Sequence, residues 1–211
     1  MIHAKRGALQ GVALSVALIA GVIGSVAAFS SPALAASTAG TKTKTTTYTL
    51  SCKTGIANGD VSVKTTQTYP ASVAPGAKFK ITWSSVTTVE GTLASAAYTL
   101  APGGKEDGTV TTDNDLSSDG TPATNNIAGK KGIAESGTIS SPSSFTIDTP
   151  TTGTISTPSF TAGTAGTDTI SAQDDDANIT IYNSSGSKVA TTTADCSPTG
   201  NPTTIAKVKV T

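Results

Sequence analysis

Threonine alternates with apolar residues along much of this chain, and this pattern limits what the chain can fold into. Within residues 45–53, Tyr48, Leu50 and Cys52 fall on one face of a predicted strand, with threonine and serine on the other. A period of two is typical of a half-buried strand, and β-branched threonine packs well on a pleated sheet. Threonine and serine make up about a third of residues 36–211, and no stretch there has the apolar period of a helix. The sequence therefore predicts an all-β domain.

Turn residues divide the rest of the chain into about 7–9 short strands at intervals of roughly 8–12 residues, which is typical of a β-sandwich. Residues 93–100 are expected to form one of these strands. Residues 101–137 are rich in glycine, aspartate, asparagine, serine and lysine, so we expect a polar insertion with little regular structure there. We predict a single sandwich domain at 45–211, preceded by a flexible segment at 36–44.

The first 35 residues have the three parts of a secretory signal peptide in the right order. Lys5 and Arg6 supply positive charge, residues 8–29 are almost continuously apolar, and Ala33-Leu34-Ala35 supplies a small-x-small cleavage pattern. The alternative is a retained membrane anchor, because the apolar run is long enough to span a bilayer. Cleavage predicts a secreted, extracellular or wall-associated protein with no stable membrane insertion.

The two cysteines give the strongest tertiary prediction. Cys52 lies in the first predicted strand and Cys196 near the last. In an exported protein two such cysteines are expected to form a disulfide. That bond would constrain a very long loop of the unfolded chain, which is worth on the order of 5 kcal/mol as an upper bound. Two free thiols, or pairing between chains, are the alternative.

A family resemblance supports the same fold. Residues 47–52, residues 69–76 and the late Cys196 before a valine-rich closing strand resemble secreted actinobacterial domains with immunoglobulin-like sandwiches. The resemblance implies an immunoglobulin-like fold and an extracellular location, and it implies no catalytic residues. The middle of the chain, residues 101–150, departs from the family.

Missing residue types exclude several function classes. The single histidine and the single arginine, His3 and Arg6, both lie in the predicted signal peptide. The rest of the chain therefore has no Ser-His-Asp or Cys-His arrangement, no imidazole ligand for zinc and no arginine clamp for phosphate. Its acids slightly outnumber its lysines, so it lacks the basic surface of a nucleic-acid-binding protein. We predict no catalytic residues and no cofactor-binding residues.

Two kinds of carboxylate site stay open. The glutamates Glu90, Glu106 and Glu135 could each belong to a pair of the kind that glycoside hydrolases use, although few aromatic residues are present to hold a sugar. Calcium is the better candidate, because oxygen-rich loops bind it without histidine or cysteine. The predicted calcium ligands form an acidic turn between two strands: Asp174, Asp175, Asp176 and Asn178. A looser acidic segment at 113–120 is a weaker candidate. The competing interpretation of both is a solvated loop.

These observations favour a non-enzymatic, secreted or cell-surface β-sandwich protein that acts in binding, adhesion or surface structure. The expected partners are a cell-wall or surface protein or a glycan, with no nucleic acid. Residues 41–49 are predicted to be an exposed strand edge, which would permit self-assembly. The alternative function is a calcium-dependent extracellular module that binds carbohydrate or protein, and the least favoured one is a glycoside hydrolase.

Overall fold

The computed structural model describes residues 40–118, 132–157 and 159–211, which belong to one compact unit, Ala36–Thr211. Within these ranges the chain forms thirteen strands and one short helix, which confirms the all-β class. The elements are β1 (Thr41–Thr54), β2 (Asn58–Pro70), β3 (Ser72–Val73), β4 (Lys78–Phe79), β5 (Thr82–Glu90), α1 (Gly91–Leu100), β6 (Lys105–Ser118), β7 (Ile133–Thr138), β8 (Ser144–Thr149), β9 (Ile155–Ser156), β10 (Phe160–Thr161), β11 (Gly166–Tyr182), β12 (Lys188–Pro198) and β13 (Thr204–Val210). The predicted signal peptide at 1–35, residues 36–39, and residues 119–120 of the looser acidic segment lie outside the described residues.

Eight strands close into a barrel, and this corrects the predicted sandwich. Their order around the barrel is β12-β1-β2-β5-β8-β7-β6-β11, and the pairing of β11 with β12 closes the ring. The closing strand β11 is 17 residues long. It pairs with β6 along one edge, and along the other edge first with β13 and then with β12. Alternation along a strand predicts which residues face inward, but it does not specify which distant strands pair, so closure was not predictable from the pattern.

The segment predicted as a further strand forms α1, so that prediction is wrong. The helix is rich in alanine, which has the highest helix propensity, and it buries Leu93 and Ala97 on its inner face. Its first turn packs against Gly59 of β2, where a Cβ would lie 3.0 Å from Thr92 Oγ1 and 3.3 Å from Leu93 Cγ. The Thr92 hydroxyl also donates a hydrogen bond to the carbonyl of Asn58 at 2.7 Å. The helix thus covers the end of the barrel at which β2 begins, packing on β2, β5 and β8.

Two predicted irregular segments are largely strands. Most of the described part of the predicted insertion at 101–137 belongs to β6 and β7, which pair antiparallel from Lys105↔Thr138 to Val110↔Ile133. The predicted flexible segment at 36–44 is also wrong from Thr41 onward, because β1 begins there and pairs with Pro70 of β2. In both places polar composition was taken as a sign of irregular structure. These strands are polar because each presents one face to solvent, and that face carries the polar residues.

The interior of the barrel has two halves that differ in how they are closed. The cavity half lies under α1 and includes Leu50, Val61, Val89, Phe145 and Ile181. The packed half lies toward the other end of β2 and includes the buried side chains of β4, β10 and β13 and of the first part of β11. Its members include Phe79, Ile81, Phe160, Ile170 and Val208.

Candidate functional site

A cavity of about 120 Å³ lies in the cavity half of the barrel. All eight barrel strands and α1 contribute residues to its wall, which is mainly aliphatic. The wall is mainly apolar because many inward positions of these strands carry leucine, valine, isoleucine or alanine, while many outward positions carry threonine and serine. Glu135 and Asp175 are the two acidic residues in the wall. The cavity is therefore an apolar space with two carboxyl groups in its wall.

Two buried glutamates lie beside each other, and one of them, Glu135, is in the cavity wall. Glu106 on β6 and Glu135 on β7 point into the barrel and are 3% and 8% exposed. Each occupies an inward position because side chains alternate along a strand, and the two strands are neighbours. The Thr149 hydroxyl donates a hydrogen bond of 3.4 Å to Glu135 Oε2. Neither carboxyl oxygen of Glu106 has a hydrogen-bond partner among the described residues.

Gly108 makes room for this pair of glutamates. In the antiparallel register Gly108 lies opposite Glu135, and Gly137 lies opposite Glu106. A Cβ on Gly108 would lie 2.9 Å from Glu106 Oε1 and 3.0 Å from Glu135 Oε1, so the two carboxyl groups flank the same small space. The two strands carry the same motif, Glu-x-Gly, as Glu106-Asp107-Gly108 and Glu135-Ser136-Gly137. That repeated motif was the sequence signal that could have located the pair.

Burial changes the protonation of both glutamates. Burial, together with the carboxyl groups of Glu135 and Asp107, raises the pKa of Glu106 from 4.5 to about 8. Burial also raises the pKa of Glu135 from 4.5 to about 7, against the opposing effect of the Thr149 hydrogen bond. Near neutral pH the pair therefore holds at least part of its protons. It can release a proton when a cation arrives.

On the outer face of the same strands, the negative charge of Asp107 is paired with the positive charge of Lys105. Asp107 points away from the barrel interior, where its carboxylate accepts a hydrogen bond of 2.6 Å from the Ser136 hydroxyl and forms an ion pair of 2.5 Å with Lys105. Lys105 also lies 5.2 Å from the centre of the Tyr182 ring. The lysine nearest in sequence to the glutamate pair is thus engaged outside the barrel.

The structure does not bring the predicted calcium ligands together. Asp174, Asp175, Asp176 and Asn178 lie within β11 and not in the predicted turn. Successive side chains of a strand point to opposite faces, so Asp174, Asp176 and Asn178 are exposed on the outside while Asp175 faces the interior. In the described ranges no group of three or more His, Cys, Asp or Glu side chains is placed to hold a metal ion. Of the looser acidic segment, Asp113 and Asp115 belong to β6.

The third predicted glutamate is separate from the pair. Glu90 is exposed at the end of β5, immediately before α1. Of the three glutamates named from sequence, the fold therefore combines Glu106 with Glu135.

The predicted disulfide between Cys52 and Cys196 is confirmed. The two residues are directly opposite each other in the pairing of β1 with β12, with their Cα atoms 4.0 Å apart. Both line the cavity. The bond therefore fixes the pairing of the first and twelfth strands at the wall of the candidate site.

The predicted strand edge has a geometric counterpart. Residues 41–49 of β1 pair with β2 on one side, whereas the pairing with β12 on the other side begins at Leu50. Their alternate threonines are exposed, and two hydroxyl pairs, Thr43–Thr68 and Thr45–Thr66, are each 3.0 Å apart. Self-assembly through this edge remains a prediction.

Comparison with known proteins gives one distant likeness. No family model matches the chain, and no curated protein matches it. A solved structure described as a "putative membrane anchored protein" from Corynebacterium diphtheriae is 15% identical, with a TM-score of 0.42. The match covers 81% of this chain and 38% of the Corynebacterium chain, so this chain spans less than half of the length of that protein. At this distance the likeness carries no argument about fold or function. In the part of the chain that the structure describes, no helix has the length and apolar character needed to cross a membrane.

Proposed function

We propose that this protein is a secreted or cell-surface, non-enzymatic binding protein whose ligand site is the cavity inside the barrel. The observation that carries the proposal is the apolar cavity of about 120 Å³, walled by all eight strands and by α1. Eight-stranded barrels have interiors just wide enough to be filled by side chains or to hold one small ligand. Here the side chains under α1 leave space for a ligand.

The size of the cavity favours binding over catalysis on a polymer. A protein cavity of about 150 Å³ lined by leucine, isoleucine and phenylalanine stays dry and binds benzene. Sites for larger ligands are roughly 300–1,000 Å³. A cavity of about 120 Å³ fits a molecule of benzene size or smaller, and not a sugar chain. The buried pair Glu106 and Glu135 has the raised pKa of a general acid, but a glycoside hydrolase needs a cleft that this half of the barrel does not offer.

An extracellular location agrees with the covalent structure. The Cys52–Cys196 disulfide is of the kind that persists in oxidising compartments and is rare in the cytosol. The outward threonines and serines of the barrel give its surface many hydroxyl groups, which suit solvent or a cell-wall or surface partner. The calcium-dependent alternative has no comparable support, because its four proposed ligands are divided between two faces of β11.

The test measures whether benzene raises the Tm of the protein in the form that its host produces. A ligand at about 100 times its Kd adds about 2.7 kcal/mol of stability, which corresponds to a rise in Tm of roughly 5–10 °C for a domain of this size. Filling the cavity with Ala97→Leu should abolish the rise, because Ala97 of α1 lines the cavity. The matched control Val189→Ala, on the exposed outer face, should keep it. If benzene at its solubility limit does not change the Tm of the native protein, the proposed function is wrong.

A further inference from the structure

Glu106 is the most unusual polar group in the interior. It is 3% exposed, yet neither of its carboxyl oxygens has a hydrogen-bond partner among the described residues. A buried polar group without a partner costs free energy, and a buried unpaired charge costs more. Such groups in a folded protein therefore call for an explanation, and a ligand that supplies the missing donors is one.

No lysine among the described residues is placed at this site. The ion pair that the described residues form nearby, Lys105 with Asp107, lies on the outer face of β6. The groups that influence the pKa of Glu106 and Glu135 are their own carboxyls, Asp107 and the Thr149 hydroxyl, and none of them is positive. A positive ligand would therefore meet uncompensated acceptors.

The neighbouring space defines the rest of that ligand. Glu135 lines the cavity, and Glu106 lies behind it, with Oε1 atoms of both close to the same point above Gly108. The remaining wall near the pair is apolar, with Val110, Phe145 and Ile147 among its members. The complement of this arrangement has an ammonium group at one end and a small apolar body at the other.

We propose that the cavity binds a small primary alkyl- or arylalkylamine, with its ammonium on the carboxyl group of Glu135, beside Glu106, and its apolar body in the space under α1. This inference rests on the proposed function and specifies the chemistry of its ligand. An ammonium carries three donors and no acceptor, which suits two carboxylates and a hydroxyl. The cavity of about 120 Å³ limits the apolar body to roughly the size of benzene.

A metal ion suits the same site less well. Calcium takes six to eight oxygen ligands, and zinc prefers histidine and cysteine. Two carboxyl groups and the Thr149 hydroxyl do not reach that number, and in the described part of the chain no metal-holding group of three such residues is present.

The experiment compares n-butylamine with 1-butanol, which has the same carbon chain but no charge, on the protein in the form that its host produces. Calorimetry near neutral pH in two buffers of different ionisation enthalpy measures both affinity and proton release. We expect the amine to bind at least tenfold more tightly than the alcohol. We also expect up to one proton to leave per amine bound, because the pair is partly protonated and the amine arrives charged.

Variants separate recognition from folding. Glu106→Gln with Glu135→Gln keeps the shape of both side chains, and it should remove the tenfold preference and the proton release while benzene still binds. Asp174→Asn, on the outer face, is the matched control and should change neither. If benzene binds and the amine shows no preference, or the double variant keeps the preference, the amine inference is overturned and the proposed function survives. Calcium chloride is the probe for a metal. If it raises the Tm of the native protein but not that of the double variant, and EDTA reverses the rise, the inference is overturned in favour of a metal. If no probe binds, both proposals fail together.

Discussion

The cavity half and the packed half of the same barrel are closed by different elements, and the difference explains why one of them holds a cavity. The packed half is covered by additional strands that bring in large side chains, including Phe79 and Phe160, whose rings stack with centroids 5.4 Å apart. The cavity half is covered by α1, whose inner face carries the small residues Ala94 and Ala97. Small residues leave space that the surrounding aliphatic side chains do not fill. One half is therefore filled by side chains, and the other keeps a cavity.

A polar layer separates the two halves. Tyr48, Gln67 and Asp175 line a second cavity of about 30 Å³ between them. The Gln67 amide donates a hydrogen bond of 2.7 Å to Thr65 Oγ1. Burial, and then the charge of Asp175, raises the pKa of Tyr48 far above its ordinary value, so this phenol stays neutral. The layer thus places polar side chains between two apolar parts of one interior.

The largest expected effect comes from truncating an aromatic ring in each half. Phe160→Ala should lower the free energy of unfolding by about 3–5 kcal/mol, because the fully buried ring leaves a hole among well-packed neighbours. Phe145→Ala should cost less, since Phe145 borders the cavity and already lacks partner atoms on one side. Urea denaturation of both variants measures the two costs. Equal costs would show that the halves are equally well packed.

The second prediction is that the stability of the protein depends on pH through the two buried glutamates of the cavity half. A carboxyl with a higher pKa in the folded than in the unfolded protein holds its proton more tightly when folded. The contribution of Glu106 and Glu135 to the free energy of unfolding is therefore greatest below pH 4.5. It falls as the pH rises above 4.5 and is lost once the pH has passed the folded-state pKa values of about 7 and about 8. We expect Tm to fall on the order of 10 °C across this window.

The control for this pH effect is the same pair of variants used for ligand recognition. Glu106→Gln with Glu135→Gln should flatten the profile and give a higher Tm than the native protein at alkaline pH. Asp174→Asn should reproduce the native profile, because Asp174 is exposed outside the barrel. Thermal melts across the window measure both. A double variant that keeps the native slope would place the pH effect elsewhere.

The smallest expected effect is a contrast between two small-to-large substitutions. Ala206→Leu, at a fully buried position of the packed half, should cost about 1–3 kcal/mol through overpacking. Ala97→Leu should be neutral or slightly stabilising, because the added methyl groups enter the cavity. Chemical denaturation distinguishes the two. Destabilisation of the same size in both would mean that the space under α1 cannot accept side-chain atoms.

The fold predictions succeeded where local pattern decides and were wrong where distant pairing decides. The inward positions Tyr48, Leu50 and Cys52 were read correctly from alternation, because the period of a strand is fixed by its backbone. The strand predicted at residues 93–100 was wrong, because alanine favours a helix and the helix is stabilised by packing against β2, β5 and β8. The barrel itself depends on β11 pairing with β12, which alternation cannot specify.

The candidate site was predictable only in its parts. Glu106 and Glu135 were both named from sequence as potential members of a carboxylate pair, but nothing in their spacing along the chain joined them. The register of β6 on β7 did so, by placing each glutamate opposite a glycine of the other strand. The predicted calcium cluster had the opposite outcome. Four residues close in sequence were divided between the two faces of one strand.

The sequence by itself determined the β class, the faces of the first strands and the two cysteines that could pair, because these follow from backbone period, β-branching and residue count. The tertiary structure alone decided that the sheet closes, that α1 covers one end, and that two glutamates share one buried space. Those features depend on contacts between residues far apart along the chain. Local propensity fixes the strands but leaves the choice among their pairings to the packing of the whole interior.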